Sequence, residues 1–515
     1  MTRRAIAAVV VVAWLASLAL LIRREYGRPA AEVVAAAALS LPPGAAYYTV
    51  SLGADQIGYA SNTLDTLGDT LSLSEIVILE VPVLGTVQRT EARTDVALTR
   101  GLKLRAFTAV LDAEDARFTA SGRVDGDSVL VLELVGAESR ETRRVALSEP
   151  LVLPQLLPLE VALRGGLRAG RTYTMPVFDP LLMRSRRATV TVTAESTFTF
   201  ADSAVFDTVA GRFVPIVTDT VHAWRLRETQ GDVPVDAWVD VHGQVVRLTS
   251  PVGFRVERTA FEIAYENFRR SRQAPADTAP RRGVDLVRQT AIASRVTLTP
   301  ETLLLVELRL GGLAFAGFDL NGDQQHLSGD TLTIRREAPT ALRATYRLPA
   351  TQPALRPFLE PEPLVQSDDP RLQAQARQIV GRTRRPDVAA ELLTRWVYEH
   401  VRKEVSLSVP SALDVYQARR GDCNEHTVLF VALARAVGLP ARTAAGLVYL
   451  DGSFYYHAWP EVYLGRWVAV DPTLGQVPAD AAHVRFTVGG LARQIELIRL
   501  IGQLSIDVLR TDTLP

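Results

Sequence analysis

The sequence predicts a multidomain α+β protein: an N-terminal transmembrane helix, then antiparallel β-rich domains, then an α+β domain. Three observations carry that prediction. Residues 5–22 form an unbroken uncharged apolar run. Short alternating stretches rich in valine and threonine fill residues 45–270. From residue 371 the apolar period changes from two to that of a helix. At 515 residues the chain exceeds one hydrophobic core. Its 47% hydrophobic and 22% charged content is that of an ordinary globular protein. The formal net charge is zero, which removes the electrostatic case for nucleic acid as a partner. Arginine supplies nearly all the basic residues; lysine occurs only at Lys103 and Lys403. Cys423 is the only cysteine, so no disulfide closes within the chain.

The elements follow in order. Residues 1–24 read as a membrane anchor: "AIAAVVVVAWLASLALLI" has arginines on both flanks and a length at the lower edge of a bilayer span. A cleaved signal peptide is the rival reading. The sequence that follows, "RREYGRP", lacks the small-x-small site such a peptide needs. A single-pass membrane protein with its bulk on the extracytoplasmic side is the expected localisation. Residues 45–270 read as a β-rich domain, a sandwich or open barrel, with strands such as "SVLVLELVG" and "RATVTVTAESTFTF". Residues 271–283 are a polar Pro/Ala-rich linker and 284–349 a second β-rich region. Within that region Asp319, Asn321, Asp323 and Asp330 match positions of a calcium loop, but Gln324 stands where the sharp turn needs glycine. A turn between strands is the better reading. Residues 350–370 form a Pro-rich linker, 371–486 the α+β domain, and 487–515 a tail packed on it. In the helix opened by Pro386, Leu392, Leu393, Trp396, Val397 and Val401 form the apolar stripe.

Cys423 lies in "RRGDCNEHTVLFVALARAVGLPAR". Asp422 fits an N-cap and Glu425 completes a capping box, which puts Cys423 at the first helical position. Free N–H groups and the positive end of the helix dipole favour a thiolate there. A thiolate that attacks a carbonyl needs a base, and the base needs an orienting group. The candidates are in "GSFYYHAWPEVYLGRWVAVDPTLGQ". Phe454 to Val462 and Arg466 to Asp471 read as paired strands joined by Tyr463-Leu464-Gly465, with Gly465 supplying the left-handed residue. In that register His457 stands directly opposite Asp471, with Cβ atoms about 5 Å apart. The carboxylate would hold one ring nitrogen and leave the other to accept the Cys423 proton. The same "HAW" with an aspartate fourteen residues on recurs at His222 and Asp236, without a cysteine or a tight hairpin. His–Asp spacing alone is therefore a weak signal, and the capped cysteine helix is what strengthens it. His426 with Cys423 makes a C-x-x-H pair, and two ligands do not make a zinc site, so no metal and no cofactor is expected.

"GDCNEHTVLFVALARAVGLPAR", "YHAWPEVYLGRWVAVDPT" and the order Cys, His, Asp resemble the transglutaminase-like superfamily with its papain-related core. The resemblance implies a papain-like α+β core with Cys423 as nucleophile, His457 as general base and then acid, and Asp471 as orienter. Trp459 and Glu461 also match and share the His457 strand face, as packing or substrate-wall residues. Gln417, six residues before Cys423, sits where papain-like proteases place an oxyanion-hole side chain. The backbone N–H of Cys423 is the alternative donor. The expected reaction is acyl transfer from a protein or peptide carboxamide through a thioester, ending in crosslinking, deamidation or hydrolysis. The alternative is a non-catalytic envelope interaction protein that uses its β domains and keeps a retired transglutaminase-like domain.

Overall fold

The computed structural model of the chain describes residue 38 and residues 41–514, apart from short stretches of which 274–284 is the longest. The predicted membrane segment 5–22 lies outside the described residues. Among the described residues no helix is long and apolar enough to cross a membrane. Outside residues 370–436 the described residues are mostly strand, more so than the α+β expectation.

The first β-rich region is one antiparallel sheet of fourteen strands, not a two-sheet sandwich. Gly44–Leu52 lies mid-sheet. The next seven strands run outward from it to one edge, while Phe254–Thr259 pairs its other side. Alternation explains the single sheet. Val129–Val135 and Gly44–Leu52 bury every second side chain, which is the pattern of a sheet with one apolar face. That face is covered by helix α1 (Leu157–Leu163), whose Leu157, Leu159, Val161 and Leu163 join the sheet's core. Its rim meets the C-terminal half, where Asp414 accepts hydrogen bonds from the Glu138 N–H at 2.7 Å and the Ser139 hydroxyl at 3.3 Å.

Strands are numbered from the linker onward. A short β1 (Ile292–Ala293) precedes β2 (Leu303–Gly311), β3 (Gln325–Ser328) and β4 (Thr331–Arg335). Four helices follow: α2 (Pro370–Val380), α3 (Pro386–His400), α4 (Ala412–Ala418) and α5 (Cys423–Ala436). The chain ends with β5 (Ala441–Leu450), β6 (Ser453–Tyr463), β7 (Trp467–Ala469), β8 (His483–Val488) and β9 (Ser505–Thr513). The sheet that carries His457 has the order β1-β6-β5-β8, with β7 on β6. A second sheet, β3-β4-β2-β9, uses the last strand of the chain to cover β2. Helix α5 is buried nearly all round. Leu429 and Leu433 join the helical core, while Cys423 packs against the core shared by the two sheets. The calcium-like loop behaves as a turn. Asn321 accepts from the Leu327 N–H, Asp323 from the Trp467 N–H, and Asp319 from the Val488 N–H while pairing with Arg493.

Candidate active site

The site forms where the start of α5 meets the middle of β6. Asp422 caps α5 by accepting the Asn424 N–H at 2.7 Å, and Glu425 returns the favour to the Asp422 N–H at 3.0 Å. Cys423 is thereby the first residue of the helix, half-buried. Gly421, at φ +150°, packs so closely on Glu425 that an added Cβ would lie 2.2 Å from the Glu425 Cβ. His426 in the same turn is a fully buried scaffold residue. Its Nδ1 lies 2.6 Å from the Asp422 carbonyl and its Nε2 3.2 Å from the Val401 carbonyl.

The Cys423 sulfur takes a hydrogen bond from the backbone N–H of Ala458, the residue next to His457. Burial pushes its thiol well above the ordinary value. The carboxylates of Asp422, Glu425 and Asp471 push the same way, against the Ala458 N–H. The expected resting thiolate is thus opposed by its surroundings, which are drier and more acidic than a helix start alone suggests.

His457 Nε2 lies 2.7 Å from Asp471 Oδ2. An ionised carboxylate only accepts, so Nε2 carries the hydrogen and Nδ1 is the basic nitrogen. The hairpin that brings them together differs from the sequence expectation. The observed pairs are Glu461 with Ala469, Val462 with Val468 and Tyr463 with Trp467. The loop is therefore Leu464-Gly465-Arg466, with Gly465 at φ +97° in its middle, and His457 is not directly opposite Asp471. Strand β7 ends at Ala469. Asp471 instead begins a turn closed by reciprocal backbone bonds with Gln476 of 2.9 and 2.8 Å. Its Oδ1 accepts the Thr473 and Leu474 N–H groups at 2.7 and 2.9 Å, which leaves Oδ2 to aim at the ring.

A second histidine, unanticipated from sequence, shares that oxygen. His483 Nε2 on β8 is 3.0 Å from Asp471 Oδ2, and its Nδ1 is 2.9 Å from Asp480 Oδ1. The approach depends on Gly446, which pairs with His457 across β5 and β6. A Cβ there would meet the Val484 carbonyl oxygen at 2.0 Å. Burial works against the charged ring of His483, but Asp480 and Asp471 outweigh it and raise its pKa to about 10. Burial likewise opposes ionisation of Asp471, yet His457 and His483 hold its carboxyl far below the usual carboxylate range. The donor atoms of His457, Asp471 and His483 lie within 4.8 Å of one another. Two N–H bonds to one oxygen account for that closeness.

Trp459 stacks on His457 with ring centres 6.0 Å apart and meets His483 edge-on at 5.1 Å. Glu461 is buried between Arg485, at 2.8 Å, and Arg442, also at 2.8 Å. Gln417 is exposed on α4. The repeat of the His–Asp spacing does not assemble. His222 faces Glu195 at 3.4 Å and Asp236 is bound to Arg227 at 2.8 Å. Two cavities flank the start of α5. One of about 120 Å³ lies between the large sheet and the cap, with Phe118, Ser408, Gly421 and Glu425 in its walls. The other, about 230 Å³, runs beside Asn424, Thr427, Thr443 and Gly489.

Residues 373–472 match the Transglutaminase-like superfamily. No curated protein matches the chain. Similar solved structures include a chain of Cytophaga hutchinsonii named "Putative Cysteine Protease", 19% identical. The match covers 41% of this chain and 86% of that one, with a TM-score of 0.27. A β-barrel-like protein of unknown function from Brucella abortus is 15% identical over 42% of this chain and 94% of its own, with a TM-score of 0.31.

Proposed function

We propose that the transglutaminase-like domain of this chain is a working thiol acyl-transfer enzyme. It acts on protein or peptide carboxamides through a Cys423 thioester, on a chain tethered to a membrane by residues 5–22 with its bulk on the extracytoplasmic side. The observation that carries this reading is the contact of His457 with Asp471 at 2.7 Å, with the Cys423 sulfur bonded to the N–H of the very next residue, Ala458. Cys423 is the nucleophile. His457 takes its proton and later delivers it to the departing amine, and Asp471 fixes the ring. The Cys423 backbone N–H, at the start of α5, is the candidate donor to the oxyanion. Gln417 is the other candidate for that role, and its exposure on α4 means that substrate would have to bring it in.

The test is to offer the full chain a glutamine-containing peptide with and without a primary amine. Crosslinked product identifies amine as acceptor, deamidated or cleaved product identifies water, and any of these supports the enzyme. No product in either arm, from folded protein, would contradict it and favour an envelope interaction protein with a retired catalytic domain.

A further inference from the structure

The Asp471 carboxylate is shared between two rings. Its Oδ2 accepts from His457 Nε2 and from His483 Nε2, while Asp480 holds the far nitrogen of His483. Both nitrogens of His483 face carboxylate oxygens, which are acceptors only. Both must then carry hydrogen, so the ring is an imidazolium. His483, Asp480 and Asp471 are 4%, 5% and 0% exposed, so water can substitute for none of these partners.

We propose that His483 is a positioning residue of this site: a permanent imidazolium, clamped between Asp480 and Asp471, that fixes the carboxylate against His457. The inference rests on the acyl-transfer reading for its catalytic meaning, but its charge state can be tested without turnover. The ring centres of the two histidines are 6.0 Å apart. A second positive charge on His457 would meet His483 at short range in a site shielded by Trp459. Asp480 balances His483 from the side away from Asp471. The other charged groups near the cluster do not replace it. Glu461 and Arg485, next along the same strands, neutralise each other at 2.8 Å. His426, which faces Asp471 from α5, is driven towards its neutral form by burial. Asp422 and Glu425 surround Cys423 from the α5 cap.

With Nε2 held by Asp471, His457 takes the Cys423 proton at Nδ1 during attack. The Cys423 S–H proton passes to His457 Nδ1 as the S–C bond forms and the carbonyl π pair moves to oxygen. The same proton then goes to the departing nitrogen as the pair returns and the C–N bond breaks. Proton, electron pairs and leaving group balance without a further reactant.

The experiment uses the full chain with its seven histidines labelled with 15N. It compares the parent with His483→Gln, which keeps an N–H donor but not the charge, and with Asp480→Asn. In the parent, the His483 nitrogens should both remain protonated at pH 8.5. In folded His483→Gln the acid limb of kcat/KM should move to higher pH, because a positive charge beside the site has gone. In folded Asp480→Asn the extra proton of His483 should leave at lower pH than in the parent. A purely structural role would lower activity while leaving the acid limb and the His483 nitrogen signals in place. A neutral His483 at pH 8.5 in the parent, or an unmoved acid limb in folded His483→Gln, overturns the proposal. If the nitrogen signals behave as expected while the parent turns over no carboxamide, the acyl-transfer reading fails and the clamp stands.

Discussion

Asp471 divides its two oxygens between backbone and histidines, and the division sets what its loss should do. Asp471→Asn keeps Oδ1-type contacts to Thr473 and Leu474 but presents an amide to at least one ring that needs an acceptor. Activity on a carboxamide should fall by a factor on the order of 10³ or more, with far less change in KM than in kcat, read from steady-state kinetics. His483 makes a separate, stability-level prediction. Its folded pKa of about 10 exceeds the unfolded value of roughly 6.5, so the folded state binds the extra proton. Its contribution to stability is full below about pH 6.5, declines as pH rises, and is gone above about pH 10. The melting temperature should therefore drop between pH 7 and 10, and the drop should be shallower in His483→Gln. Asp471 and Asp480 have the opposite sign. Their folded values are depressed, so their support is present above the unfolded carboxylate range and lost only in strong acid.

The capped helix is the element on which the nucleophile depends. Gly421→Ala forces a methyl group against Glu425 at a φ of +150° that alanine resists. The variant should lose on the order of 1–3 kcal/mol of stability and label more slowly at Cys423, because the cap sets where the sulfur points. Thermal unfolding and alkylation kinetics on the same sample check both parts. This element was legible from sequence, since a capping box is a local pattern: Asp422, Glu425 and the apolar run after them are neighbours in the chain. The helix opened by Pro386 and the strands at 303–311 and 453–463 were legible for the same reason. The hairpin was half legible. Its glycine was right, but the loop sits one residue later, and Asp471 reaches His457 from a turn rather than from the facing strand position. His483 and Asp480 were not legible, because β8 pairs with β5, not with its sequence neighbour β7. Only the Asp-x-x-His spacing after Pro478 hinted at them, and many unrelated segments carry that spacing.

At the scale of the whole molecule, the large sheet is docked on the C-terminal half by polar contacts at its rim. Asp414 is central there. Gly136 approaches it so closely that an added Cβ would lie 2.1 Å from its Oδ2. Asp414→Ala leaves the Glu138 N–H without its acceptor and should cost about 1–2 kcal/mol. It should also speed proteolytic nicking within residues 350–370, without altering the 15N signals of His457 and His483. Equal nicking rates would mean that other contacts, such as Arg371 with Glu138, hold the rim by themselves. The sheet's own extent was not legible. Alternation identifies strands and their buried face, but fourteen partners in one sheet are chosen by pairings that include some more than two hundred residues apart, such as Tyr48 with Arg258. The anchor at residues 5–22 remains part of the proposed function, and detergent dependence of the full chain against residues 30–515 would test it.

The central claim is that His457 acts on Cys423, and the lone cysteine makes it directly measurable. The full chain and its His457→Ala variant are treated with iodoacetamide near pH 7, and labelling is followed by intact mass. The parent should be modified with help from His457 as base, and the variant at a rate lower by a factor on the order of 10². Equal rates in two folded proteins would contradict it.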